Sequence, residues 1–299
     1  MVDSNKLVPY LQIHLAVILF GFTAILGDLI HLPAIILVWW RVLLTVISLL
    51  FFIHFGRNLR QLPISLLIRY LGIGVIIGLH WICFYGSLKL SNASICLICL
   101  STTTFFTSII EPILTKKNIN KIEVFTGSLM IPGMILIVNN VDTGYFYGII
   151  VGLLSALFAA IFSVLNKIYI HEADPYTMSF VELSGSWLFV SLVLIVMHIF
   201  GIYLNSYLPA TAIEWLWLII FALVCTTLAQ ILTLKALKHL SAFTVSLTIN
   251  LEPIYGIILA IIILHEHNTL NGMFYTGAAI IALSVFLYPI YLRIKSKSI

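Results

Sequence analysis

Charged residues are scarce in this sequence of 299 residues: Asp, Glu, Lys and Arg together make up 9%, against 62% hydrophobic residues. Soluble domains contain about 25% charged and about 45–50% apolar residues. So few charges cannot cover the surface of a soluble fold of this size, which excludes an ordinary soluble enzyme, a disordered chain and a nucleic-acid-binding protein. The composition instead indicates an all-α integral membrane protein that crosses the bilayer many times.

Motifs of metal, redox and nucleotide chemistry are also missing. The four cysteines lie inside apolar runs, and although Cys96 and Cys99 form a CxxC, no second CxxC or histidine cluster accompanies it. His265, Glu266 and His267 lack the HExxH spacing, and no glycine-rich loop with a lysine could hold a nucleotide phosphate. We therefore predict no metal site, no cofactor and no enzymatic activity.

Long apolar runs, by contrast, fill most of the chain. A spanning helix needs about 20 mostly apolar residues. Breaks at Pro, Gly, Asn and charged residues divide the sequence into ten such runs: Val8–Leu29, Pro33–Phe55, Leu66–Leu88, Ala93–Leu114, Ile122–Val138, Tyr145–Tyr169, Pro175–Phe200, Ala212–Leu234, Ser241–Leu264 and Leu270–Leu292. The run from Val8 is too long for a cleaved signal and predicts a retained first helix. Because the loops are short, consecutive helices are expected to be antiparallel neighbours.

Basic residues are distributed unevenly between the two sides of this ten-span arrangement. With the N-terminus in the cytoplasm, the opposite side receives only Lys89. The cytoplasmic side receives Lys6, Arg57, Arg60, Lys116, Lys117, Lys121, Lys167, Lys235, Lys238, Arg293, Lys295 and Lys297. Since Lys and Arg mark cytoplasmic loops, we expect a multi-pass protein of the cell (inner or plasma) membrane with both termini in the cytoplasm.

The two halves of the chain resemble each other. A shift of 150 residues gives nine identities between Leu90 and Ile131, including Ser91 with Ser241 and Thr126-Gly127 with Thr276-Gly277. A repeat of five helices is odd in number, so the second copy would enter the membrane inverted. We therefore predict two inverted five-helix repeats, residues 1–140 and 141–299. Secondary transporters with this arrangement have a substrate site near the midplane, between the halves.

Several segments resemble the EamA-type transporters of the drug/metabolite transporter superfamily. The resemblance rests on Leu19-Phe20-Gly21, Trp39-Trp40-Arg41, Tyr85-Gly86-Ser87-Leu88-Lys89-Leu90-Ser91-Asn92-Ala93, Lys235-Ala236-Leu237-Lys238-His239-Leu240-Ser241-Ala242, Leu251-Glu252-Pro253 and Leu264-His265-Glu266. The first half departs from the second-half motif, with Thr103 in place of Pro253 and Lys116 in place of Glu266. The resemblance implies ten helices, an inverted repeat and transport of a small metabolite, usually export in bacteria.

Ionisable residues inside the predicted spans are functional candidates, because a charge in the bilayer is costly. Arg41 shares a helix face with Thr45 and Ser48, and Glu182 lies between Ser179 and Ser186. Spans two and seven are equivalent in the repeat, so one interpretation is a structural ion pair between Arg41 and Glu182. The alternatives are a clamp for a substrate carboxylate at Arg41 and a proton-coupling group at Glu182.

Spans four and nine each carry a polar stripe. The stripes consist of Ser101, Thr104, Ser108 and Glu111 on span four, and of Thr244, Thr248, Glu252 and Tyr255 on span nine. Such stripes avoid lipid and face either a water-filled cavity or another helix. Pro112 and Pro253 each follow a glutamate, and proline is expected to kink the helix there. Gly74-x-x-x-Gly78 predicts close helix packing on span three.

These features together predict a secondary transporter, acting as an exporter, that moves a small organic metabolite such as an amino acid by alternating access. The predicted substrate-binding residues are Arg41, His80, Trp81, Thr104, Glu182, Asn250 and Glu252. The predicted partners are the small-molecule substrate and the lipid bilayer, without nucleic acid, and a homodimer is left open. Two alternatives remain: an intramembrane enzyme that uses Glu182 and Glu252 as a carboxylate pair, and a channel or structural membrane subunit.

Overall fold

The structure is a computed structural model that describes residues 4–53, 59, 61–129, 131–133, 135 and 143–263, together with residues 272, 273, 275–277, 279, 280, 283 and 287. The named elements of these residues are all helical. They are α1 (Ser4–Leu29), α2 (Ala34–Leu50), α3 (Ile64–Leu90), α4 (Ala93–Ser101), α5 (Thr103–Thr115), α6 (Lys121–Ser128), a short 3₁₀ turn (Thr143–Tyr145), α7 (Phe146–Tyr169), α8 (Pro175–Ile199), α9 (Ala212–Ala222), a π-helical turn (Leu223–Leu228), α10 (Ala229–Leu237), α11 (Ala242–Ile249) and α12 (Glu252–Ile263).

Seven helical segments of the described residues are long and apolar enough to cross a membrane. They are Leu7–Leu29, Ile64–Leu90, Ala93–Thr115, Phe146–Tyr169, Pro175–Ile199, Ala212–Leu237 and Ala242–Ile263. Helix α2 is apolar but shorter, at 17 residues. These segments coincide with predicted spans, which confirms the all-helical membrane architecture. Within the predicted span Ile122–Val138 the structure describes residues 122–129, 131–133 and 135, and the named helix there is α6 (Lys121–Ser128), which is not among the seven. Most of the predicted span Leu270–Leu292 lies outside the described residues, so the count of ten stays a prediction.

Contacts between helix termini define two ends of the bundle. At one end, Lys89 of α3 donates from Nζ to Gly27 O (2.9 Å) and Ile30 O (3.2 Å) at the end of α1. The His31 Nδ1 atom lies 2.8 Å from Glu214 Oε1 in the first turn of α9. We call this the His31 end of the bundle.

The opposite end gathers the last turns of α7 and α10 with the first turn of α8. Lys167 Nζ donates to Leu237 O at 2.7 Å, which joins α7 to α10. Lys235 Nζ donates to Tyr176 OH at 3.3 Å, which joins α10 to α8. We call this the Lys235 end.

Two spans are interrupted near their middle. Helix α4 ends at Ser101 and α5 begins at Thr103, whereas α11 ends at Ile249 and α12 begins at Glu252. The two interruptions correspond within about two residues under the 150-residue shift found in the sequence. Discontinuous helices near the midplane are typical of transporter repeats, so their matching positions support the repeat.

The interruption in the first half coincides with a cluster of side-chain hydrogen bonds. The hydroxyls of three successive residues each donate to a carbonyl three residues back, at 2.6–2.7 Å: Ser101 to Ile98, Thr102 to Cys99 and Thr103 to Leu100. Such side-chain bonds compete with the backbone bonds of the helix. Pro112 lies inside α5, so the span is interrupted at Thr102 and not at the proline where the sequence predicted a kink.

Glycine allows α3 and α8 to pack backbone against backbone. A Cβ atom on Gly74 would collide with the carbonyl oxygen of Glu182 and lie 2.9 Å from Ser186 N. A Cβ atom on Gly78 would lie 3.1 Å from Ser186 Oγ. Small residues permit this approach between membrane helices, as predicted for the Gly74-x-x-x-Gly78 pair.

Candidate functional site

A central cavity lies where most of the spans meet. Four of the predicted site residues line it: Arg41 on α2, His80 and Trp81 on α3, and Glu252 at the start of α12. The walls between them are largely aromatic and apolar. A concave apolar cavity with a few convergent polar groups is the usual form of a small-molecule site.

The central cavity is asymmetric along the bundle. Towards the Lys235 end its lining continues through the polar residues Asn166, Gln230 and Thr233 to Leu237, the last residue of α10. Towards the His31 end, the lining contributed by α3 stops at Tyr85 among the described residues. The cavity lining therefore extends towards the Lys235 end of the bundle.

Arg41 lies at the side of the cavity nearer the His31 end and is only 2% exposed. Its Nε atom donates to Thr226 Oγ1 and its Nη1 atom donates to Tyr85 OH, both at 2.7 Å. The guanidinium carbon lies 4.3 Å from the ring centroids of both Trp81 and Phe221. Two aromatic faces and two hydroxyl groups therefore fix the position of the guanidinium.

Arg41 has no carboxylate partner in the described part of the chain. Its hydrogen-bond partners are Thr226 and Tyr85, whereas Glu182 is bonded by Asn166. The described contacts therefore do not include the Arg41–Glu182 ion pair that was one interpretation of the sequence. A buried cation whose hydrogen-bond partners are neutral strongly favours a nearby anion. The two bonds described use two of the five guanidinium donors, so Arg41 is suited to bind a carboxylate ligand.

Glu252 brings a carboxyl group to the same cavity and is 4% exposed. The hydroxyl of Thr23 on α1 lies beside both Glu252 and Tyr85. Tyr85 in turn bonds to Arg41. A row of adjacent polar side chains thus runs from the guanidinium to the carboxyl group.

His80 is held from one side by Ser155 on α7. Its Nδ1 atom lies 2.9 Å from both the carbonyl and the hydroxyl oxygen of Ser155, and the hydroxyl lies within 3.1 Å of His80 O. The imidazole centroid also lies 5.4 Å from that of Phe162 and 6.1 Å from that of Phe84. Ser155 occupies Nδ1, so Nε2 is the ring nitrogen left for a ligand.

Glu182 lies behind the cavity wall. With its amide nitrogen facing the carboxylate, Asn166 donates from Nδ2 to Glu182 Oε1 at 2.8 Å and to Phe162 O at 3.3 Å. Asn166 lines the cavity, whereas Glu182 is fully buried and does not. Glu182 therefore reaches the cavity only through Asn166.

Thr104 and Asn250 also lie outside the cavity lining. Both are buried, and the Thr104 Oγ1 and Asn250 Nδ2 atoms have no hydrogen-bond partner among the described residues. Thr103 lines the cavity in place of Thr104. Substrate binding by Thr104, Asn250 and Glu182 stays a prediction that the lining does not support.

Two consecutive segments of the chain, residues 7–139 and 146–288, match the EamA-like transporter family. The chain belongs to this family. The matches cover nearly the whole sequence and confirm the resemblance seen in its motifs. Members of the EamA-like family are typically drug and metabolite transporters and not enzymes, so the protein is an integral membrane transporter of small molecules, embedded in the lipid bilayer.

The fold of this EamA-like transporter recurs among solved structures, of which 25 chains match. One of these solved crystal structures aligns with 97% of this chain and with 98% of the matched chain, with a TM-score of 0.71 and 12% sequence identity. At this identity the likeness shows a shared fold. A search among curated proteins found no match.

A π-helical turn in this EamA-like transporter supports Arg41. Within Leu223–Leu228, Thr226 and Thr227 each donate from Oγ1 to a carbonyl five residues back, at 2.8 and 2.9 Å. Thr226 also accepts the bond from Arg41, while Thr227 bonds with Ser48 at 2.7 Å. Single π turns are frequent at functional sites, and no sequence pattern predicted this one.

Proposed function

We propose that this EamA-like transporter is a secondary transporter that exports a small zwitterionic metabolite, such as an amino acid, by alternating access. The observation that carries the proposal is the buried Arg41 in the central cavity, whose described partners are neutral. In this proposal the guanidinium binds the substrate carboxylate as a planar, two-pronged donor. Glu252 then attracts the substrate ammonium group, and Trp81 packs against the bound carboxylate end.

The other lining groups would select the remainder of the substrate. His80 offers its Nε2 edge, and the rings of Phe84 and Phe162 offer an apolar surface for a side chain. Glu182 would act indirectly, by holding Asn166 in the wall. We further propose that residues 1–140 and 141–299 are the two five-helix halves that move against each other.

The alternative functions find less support in the cavity. An intramembrane carboxylate enzyme needs Glu182 and Glu252 in one site, whereas of the two only Glu252 lines the cavity. A channel or structural subunit is less favoured because the chain belongs to a transporter family and its central cavity carries convergent polar groups.

The proposed orientation places the Lys235 end and both termini in the cytoplasm of a cell with the protein in its inner or plasma membrane. A reporter fused after Ile299 is expected to show a cytoplasmic location. The same reporter inserted within residues 203–209 is expected to show the opposite side, because the intervening spans are odd in number. A common location for the two reporters would contradict the ten-span arrangement.

The proposed transport activity can be tested without knowing the substrate beforehand. Comparing the metabolites of cells with and without the protein is expected to show carboxylated compounds that accumulate outside when the protein is present. The purified protein in liposomes should exchange such a compound across the membrane. Its amide analogue, which lacks the carboxylate, should be transported at least about tenfold less well, a difference of about 1.4 kcal/mol. Equal transport of acid and amide would contradict the role of Arg41.

A further inference from the structure

A second cavity, with about 1160 Å³ of free space, opens on the outside of the bundle between α2 and α9–α10. Its walls are almost entirely apolar and include Leu44, Ile47, Phe51, Phe52, Ile219 and Leu228. Phe51 and Phe52 are 84% and 58% exposed, so this surface faces the surrounding lipid. We call it the lateral groove.

The lateral groove is separate from the central cavity. Ser48 and Thr227 line its floor and bond to each other at 2.7 Å. On the other side of the same contact between α2 and the π turn, Arg41 bonds to Thr226 and lines the central cavity. A ligand in the groove would therefore touch the elements that hold Arg41 without entering the substrate site.

A third cavity, with about 730 Å³ of free space, lies at the Lys235 end. Lys235, Lys238 and His239 line it, together with Gln12 on α1 and Pro175 on α8. We call it the basic pocket.

Tyr176 joins the lateral groove to the basic pocket. Its ring lines the groove and stacks on Phe52 with centroids 5.8 Å apart. Its hydroxyl accepts a hydrogen bond from Lys235 Nζ, which also lies 5.2 Å from the ring centroid. Leu228, Ile231 and Lys235 follow one another at helical spacing, so this face changes from apolar to basic along the chain.

We propose that the lateral groove and the basic pocket together bind one anionic phospholipid. An acyl chain occupies the groove, and the phosphate contacts Lys235, Lys238 and His239. Basic pockets between membrane helices attract anionic headgroups, and lysines near the surface strengthen that attraction. The adjoining apolar groove is the reason why the ligand is a lipid and not a free phosphate. The bound lipid braces α2 against α10, on the outer side of the contact that orients Arg41.

The proposal can be tested by lipid binding to the purified full chain in detergent, measured by native mass spectrometry and thermal unfolding. Phosphatidylglycerol is expected to bind and to raise Tm, whereas phosphatidylcholine with the same chains is not. A Lys235→Gln/Lys238→Gln variant should lose at least tenfold in affinity for phosphatidylglycerol. The matched control, Lys117→Gln/Lys121→Gln, changes two exposed lysines outside the basic pocket and should retain it.

A second pair of variants tests the acyl chain separately. Ile47→Trp fills the lateral groove and should weaken phosphatidylglycerol binding, whereas Ile68→Trp, at an exposed site on α3 outside the groove, should not. Inorganic phosphate and glycerol 3-phosphate should fail to displace the lipid at millimolar concentration. Equal binding of both lipids, unchanged affinity in the lysine variant, or displacement by free phosphate would overturn the proposal.

Discussion

Replacing Arg41 with lysine is expected to remove most of the transport activity while leaving a folded protein in the membrane. Lysine keeps the charge but lacks the planar fork that bonds to Thr226 and Tyr85 and lies between Trp81 and Phe221. We expect uptake by proteoliposomes at low substrate concentration to fall at least about tenfold, or about 1.4 kcal/mol. Tm in detergent should change little.

Arg69 offers a matched control for this substitution. Its guanidinium carbon also lies over an aromatic ring, 5.2 Å from the Tyr169 centroid, but Arg69 is exposed and does not line the central cavity. The Arg69→Lys variant should transport like the parent protein. If Arg41→Lys misfolds while its surviving fraction transports normally, then Arg41 has a structural role and the proposed substrate site is wrong.

The second large effect is expected at the contact between α3 and α8. In a Gly74→Ala variant, the new methyl group would overlap the carbonyl oxygen of Glu182, so the two helix backbones must separate. Overpacking of this kind costs about 1–3 kcal/mol. Thermal unfolding in detergent should show a fall in Tm of roughly 5 °C or more.

Gly72, half a turn before Gly74 on the same helix, provides the control. A Cβ atom at Gly72 has no neighbouring atom within 4 Å, and the position is exposed. Because alanine also favours the helix more than glycine does, Gly72→Ala should leave Tm unchanged or raise it slightly. Similar Tm values for the two alanine variants would show that α3 and α8 are not in contact at Gly74.

Most helices of the bundle could be predicted from the sequence because the bilayer leaves few choices. A segment in lipid must satisfy its own backbone hydrogen bonds, so an apolar run of sufficient length has to be a helix. The predicted span Ala93–Leu114 corresponds to the observed Ala93–Thr115, and Tyr145–Tyr169 corresponds to Phe146–Tyr169. The interruptions inside the spans were harder to predict from the sequence. Hydroxyl-to-carbonyl hydrogen bonds and a π turn do not change how apolar a segment is, so composition does not reveal them.

The cavity lining differs from the predicted site at Thr104, Glu182 and Asn250, which do not line it. Arg41 and Glu182 occupy equivalent spans of the repeat, but Glu182 lies on the face of α8 that packs against Gly74, whereas Arg41 faces the π turn. The sequence prediction treats the polar stripe of span four as one face of a continuous helix. In the structure this helix is interrupted at Thr102. Thr103 therefore lines the cavity in place of Thr104.

Two residues of the site gave no usable signal in the sequence. Thr23 lines the cavity and Phe221 packs against Arg41, but a lone threonine and a phenylalanine are ordinary residues inside a membrane span. Their roles depend on contacts between distant segments: Thr23 beside Glu252, and Phe221 against Arg41. By contrast, Arg41, His80, Trp81 and Glu252 were recognisable because charged and large aromatic groups are costly or unusual inside a span.

The two interrupted spans have a mechanical consequence for the proposed transport cycle. In the proposed cycle each break would act as a hinge, because the regular helix is already interrupted there. Thr103 and Glu252 lie at these breaks and also line the central cavity. Small rotations of the half-helices at the breaks would close the cavity towards the Lys235 end and open it towards the His31 end. In the proposed cycle, a substrate carboxylate that draws Arg41 away from Tyr85 would break the hydrogen bond that joins α2 to α3 near the His31 end. In the empty protein that bond would stay intact.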